Sequence, residues 1–145
     1  MRRSTCFLLV MLFGSWLSSF GQHAPRFTSP RIVATFERLG QTADIPPTTI
    51  YTPQDWGTFR VSFVMVLTVA NESDNGSWGP VLQFDDGSGT NYGAGELLPV
   101  TTRRTVGSQF PFRAKAGKPL KFSVLHANGT LDTKYNVWVV VEQLM

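Results

Sequence analysis

Acid–base chemistry in this chain would fall to few groups. His23 and His126 are the two histidines, one in a polar N-terminal stretch and the other in an apolar run just before Asn128-Gly129. An isolated histidine in a strand is more often packed or solvated than a base. No G-x-S-x-G, H-E-x-x-H, P-loop or Cys–His arrangement occurs in the sequence. Asp85, Asp86 and Glu96 hold the carboxylates that a glycosidase-like pair requires. Acids beside glycines, as in Asp85-Asp86-Gly87-Ser88-Gly89, are turn formers first. These residue types predict no catalytic residue, no enzyme activity and no cofactor.

The oxygen-rich run Asp85–Asn91 also has the composition of a calcium loop. An EF-hand needs spaced acidic or amide ligands, a glycine at the sixth position and a glutamate at the twelfth, and neither Asp85 nor Asp86 starts that register. Only a loop-carbonyl site would remain, so no metal is assigned. Arg103-Arg104 is the one adjacent basic pair after the N-terminus. Two arginines on an otherwise balanced chain read as a solvated strand surface rather than a stripe that tracks phosphates. Nucleic acid is therefore not an expected partner. Asn71, Asn75 and Asn128 each begin an N-x-S/T sequon; in a bacterial protein these would carry no meaning.

Aromatic side chains are the stronger binding candidates. Trp56 and Trp78 fall in turn-rich stretches, and Tyr92 lies in a glycine-rich one. Aromatic rings on the rim of a β-sandwich hold sugars by stacking, which would make the chain a monomeric carbohydrate-binding module. The competing expectation is that each tryptophan packs back as a lid on the core.

Processing of the N-terminus changes the balance of charge. Arg2-Arg3, the apolar run Phe7–Phe13 and the small residues around Ser19-Phe20-Gly21 have the layout of a secretory signal peptide over residues 1–21. The apolar run is too short for a comfortable membrane span, so the mature form is expected to have none. Without Arg2 and Arg3, the 13 Lys+Arg fall to 11 against 10 Asp+Glu. Cys6, the only cysteine, leaves with the same segment, so neither disulfides nor thiolate metal sites are expected. A secreted domain without disulfides fits a bacterial envelope, periplasmic or extracellular, better than an animal extracellular module.

What remains must be held by its core. Residues 22–30, with Pro25 and Pro30, read as an N-terminal arm, and 31–145 as one domain. Gly57–Asn71 organises it. Phe59, Val61, Phe63, Met65, Leu67 and Val69 alternate, the period that sends side chains to one face of a strand. Arg31–Glu37, Thr48–Thr52, Val81–Phe84, Glu96–Thr102, Arg103–Arg113, Leu120–Val124 and Thr133–Leu144 read as further strands, with breaks expected near Gly107 and Pro111. Pro46-Pro47 argues against a central strand. No helical periodicity appears. About eight to ten short strands between turns predict an all-β antiparallel sandwich of the jelly-roll type.

Two strands are apolar on both faces. Val64 and Val66 share the face of Thr58, Arg60 and Ser62, and Trp138 and Val140 share that of Asn136 and Glu142. Side by side they would form a patch, and a contiguous apolar patch marks an interface. Self-association is the expected use, since closed homo-oligomers are common. The alternative is a loop or the arm folded over them.

Three segments carry a family resemblance: Thr49–Phe63 (T-I-Y-T-P-Q-D-W-G-T-F-R-V-S-F), Ala116–Val124 (A-G-K-P-L-K-F-S-V) and Tyr135–Leu144 (Y-N-V-W-V-V-V-E-Q-L). Together they resemble C1q/TNF-type jelly rolls, especially small bacterial secreted ones. Phe59 stands where the pattern usually has tyrosine, and no collagen-like stem is present. The resemblance implies a homotrimer with apolar aromatic strands at the threefold axis, and a binding or structural role in an envelope or extracellular assembly.

Overall fold

Alternation along the central segment becomes a thirteen-residue strand whose inner residues are almost without exception inaccessible to solvent. The computed structural model describes residues 29–128 and 132–144, all extended strands and loops without a helix. The segment assigned to export, Met1–Gly21, lies outside the described residues, as does most of the arm; Ser29 and Pro30 lead directly into the first strand. Nine strands occur among the described residues: β1 (Arg31–Gln41), β2 (Ile45–Tyr51), β3 (Gly57–Val69), β4 (Ser77–Asp85), β5 (Thr90–Ala94), β6 (Leu98–Pro99), β7 (Thr105–Ala114), β8 (Leu120–Ala127) and β9 (Lys134–Gln143).

The strands make two antiparallel sheets, one ordered β1-β9-β3-β7 and the other β2-β8-β4-β5, with β6 on β4. Four ladders, β1–β9, β2–β8, β3–β7 and β4–β5, pair the first half of the chain with the second in reverse order. They describe one long hairpin with β4–β5 at its tip. Winding that hairpin on itself brings β9 against β3 and β8 against β4. This is a jelly roll.

The core lies between the sheets. Phe59, Val61, Phe63, Met65 and Leu67 of β3, Tyr135, Val137, Val139 and Val141 of β9, and Phe122 and Val124 of β8 are all buried. Phe63 meets Phe110 edge-on at 6.4 Å and lies tilted to Phe122 at 6.2 Å, so aromatic contacts link β3 to an edge strand and to the opposite sheet. The ring of Phe63 also closes on Gly95 so tightly that a Cβ there would collide with it.

Four local expectations are corrected. The strand expected over Glu96–Thr102 is only the two-residue β6, Leu98–Pro99. Val69 is not an inward residue: a register shift between Leu67 and Val69 on β9 turns it outward, and it is 38% exposed. The strand expected at Val81 begins at Ser77, four residues earlier. Gly79 and Pro80 lie within it because Pro80 is buried and its carbonyl still accepts from Gly95 N at 3.0 Å. Finally, β7 runs unbroken through Gly107 and Pro111. It is an edge strand, where a missing N–H is tolerated. Pro46-Pro47 sits likewise on the edge strand β2, at an irregular register between Ile45 and Thr48.

Candidate functional site

The outer face of the four-stranded sheet brings the sequence's surplus apolar residues together. Register places Val64 of β3 directly opposite Trp138 of β9. Val140 lies opposite Ser62 and Val66 opposite Asn136, so both are diagonal neighbours of the central pair. Diagonal side chains on one face of a sheet remain within reach when they are long or aromatic. Val140, Trp138, Val64 and Val66 therefore form one oblique band across the two central strands. Val64 is 42% exposed, and the other three are half-buried.

The rows on either side complete the surface. Glu37 of β1 flanks Trp138, and Gly107 of β7 flanks Val64. Because Gly107 has no side chain, a shallow hollow of about 300 Å³ opens beside Val64, lined by Ser62, Phe63, Val64, Gly107, Ser108 and Gln109. One row further, Arg60 and Glu142 face each other. Arg60 Nε donates to Glu142 Oε2 at 2.7 Å, and Nη2 lies at the same distance. That bond raises the guanidinium pKa and holds the Glu142 carboxyl below the usual carboxylate range. Beyond Val66 a groove of about 430 Å³ runs past Arg103 and Arg104. Arg104 is paired with Glu96 at 3.0 Å. The band is thus apolar at its centre and charged around it.

The aromatic trio does not assemble. Trp78, the alternative sugar platform, is not in a loop but is the second residue of β4 and fully buried, in line with the competing expectation that it packs against the core. Its ring lies between Tyr135 at 4.5 Å and His126 at 4.6 Å, and its indole N–H donates to Thr133 Oγ1 at 3.0 Å. A buried indole with its N–H satisfied is a core anchor and has no face left for a ligand. Trp56 is in the β2–β3 turn, 49% exposed, with its ring packed over Gly87 beyond the far end of β4. Tyr92 is on β5, opposite Gln83 on the other sheet's outer face, and 69% exposed.

His126 lies on β8 as expected, in a closed setting. Its backbone N–H donates to Asp44 Oδ1 at 2.8 Å, and its Nε2 is buried with no hydrogen-bond partner among the described residues. A Cβ on Gly76 would come within 2.8 Å of that nitrogen. A substrate has no room to approach it. Nearby, Tyr135 donates its hydroxyl to Ala43 O at 2.9 Å, and burial, then the Asp44 carboxylate, push its phenol upward. In the β4–β5 turn the carboxylates serve their own loop. Asp85 Oδ1 accepts from Gly87 N at 2.7 Å, and Asp86 Oδ1 accepts from Ser88 N and Oγ. The hydrogen bonds from Ser88 hold the Asp86 carboxyl below its usual value. Among the described residues no group of three or more His, Cys, Asp or Glu could hold a metal. No described helix is long and apolar enough to cross a membrane.

No protein-family model matches the sequence, and no curated protein does. Among solved structures the chain is similar to the Eiger TNF of S. frugiperda, at 15% identity and a TM-score of 0.42, over 77% of this chain and 86% of that one.

Proposed function

We propose that this chain is an exported, non-enzymatic β-sandwich protein that binds copies of itself, as a homotrimer, through the outer face of the β1-β9-β3-β7 sheet. One observation carries the reading: Val64 and Trp138 stand opposite each other on the two central strands, flanked diagonally by Val66 and Val140, with Val64 42% exposed. Central strands of a one-sided sheet ordinarily alternate apolar-in and polar-out. An outer band of valines and tryptophan departs from that rule, and burial against another copy removes the departure. The threefold count comes from the resemblance of Thr49–Phe63, Ala116–Val124 and Tyr135–Leu144 to C1q/TNF-type domains. The biological role under this reading is structural or recognition work in an envelope or extracellular assembly.

Light scattering behind size exclusion tests it on the purified protein. The expected mass is three times the monomer's, falling to the monomer's in Trp138→Lys with the circular-dichroism spectrum unchanged. A wild-type monomer would remove the proposal, and a Trp138→Lys variant that keeps its mass would move the interface elsewhere.

A further inference from the structure

The second sheet also carries an unusual outer face. Register aligns Thr49 of β2, Lys121 of β8, Gln83 of β4 and Tyr92 of β5 in a single row. Tyr92 is 69% exposed, above every other large apolar or aromatic side chain among the described residues. Beside the row lies a hollow of about 140 Å³ lined by Gln83, Thr90, Lys118 and Lys121, with Phe84, Asp85 and Pro119 closing it. Among the described residues the Gln83 amide makes no hydrogen bond, and neither lysine has a carboxylate at ion-pairing distance. Asp85 is engaged by the Gly87 N–H.

We infer that this face binds an acidic saccharide, a chain of uronic-acid units, with one ring on Tyr92 and a carboxylate on Lys121 and Lys118. The phenol ring offers a flat face to the C–H side of a pyranose. The Gln83 amide donates and accepts at once, as paired hydroxyls require, whereas an ammonium only donates, and its bonds are strongest to an anionic acceptor. Two strand spacings separate Lys121 from Tyr92, roughly 10 Å, so successive sugar units reach both ends of the row. Two lysines are too few for a nucleic-acid backbone, where affinity grows with the number of phosphates neutralised. The site is independent of the self-association surface, because it lies on the other sheet.

Affinity electrophoresis of the whole protein tests the inference, with polygalacturonate, dextran or polyglutamate cast in the gel. Polygalacturonate is expected to retard the protein, and the other two are not. Tyr92→Ala, and separately Lys118→Gln with Lys121→Gln, should weaken retardation about tenfold each, equivalent to about 1.4 kcal/mol. These side chains are at the surface, so the variants should melt at the wild-type temperature. Trp138→Lys should still be retarded. The inference is overturned by no retardation, by equal retardation in dextran or polyglutamate, by an unaffected Tyr92→Ala variant, or by loss of retardation in Trp138→Lys.

Discussion

Glu142 accepts from Arg60 at 2.7 Å on the same outer face as Val140, and its carboxyl is held below the ordinary range, first by that hydrogen bond. A carboxyl depressed in the folded state contributes stability above its unfolded pKa and loses it as pH falls through the folded value. Asp86, depressed by Ser88, acts in the same sense. Urea midpoints taken from neutral to acid pH should therefore fall less steeply in Glu142→Gln than in the wild type. Matching slopes would mean that the half-exposed pair contributes nothing, as many surface pairs do. Single residues were unevenly legible in the sequence. The valines at 64 and 66 announced themselves by breaking an alternation. Trp78 did not, because a tryptophan next to Gly79-Pro80 has the composition of a loop, and only its partners Thr133, Tyr135 and His126 make it a core residue. Those partners are remote in sequence.

Among the strands, β3 and β9 could be read directly, since each is long and strictly alternating over its inner residues. Element boundaries failed where glycine and proline lie inside strands: Gly79-Pro80 in β4, Gly107 and Pro111 in β7. Edge position licenses both in β7, and edge position follows from pairing order, which no local window contains. Gly107 has a further use at this scale. A Cβ there would meet Phe63 O at 3.5 Å and Val64 Cγ2 at 3.7 Å, ordinary contacts. Gly107→Ala should leave stability unchanged or raise it by ~0.5–1 kcal/mol, because glycine is a poor strand residue. Under the proposed self-association, Gly107→Glu should fold but shift the assembly toward monomer by placing a charge in the hollow beside Val64. A wild-type mass for that variant would show that the hollow is not part of the contact.

At the scale of the molecule, the wound hairpin makes nearly every ladder a pairing between distant parts of the chain, with Arg31 against Gln143 at the extreme. Closing such loops precedes any reward from the contacts, so stopped-flow refolding should run in milliseconds to seconds. A microsecond phase carrying most of the amplitude would contradict that expectation. The same ladder has a mechanical consequence. Arg31 begins β1 and Gln143 ends β9, and they face each other with the Arg31 guanidinium donating to Gln143 Oε1 at 3.0 Å. Tension applied across these two points loads the antiparallel ladder from one end, so it opens like a zipper, a rung at a time, instead of resisting in shear. Since β1 is an edge strand, it peels away first and uncovers Phe36 and one side of β9, while the β3–β7 and β4–β8 ladders carry no load.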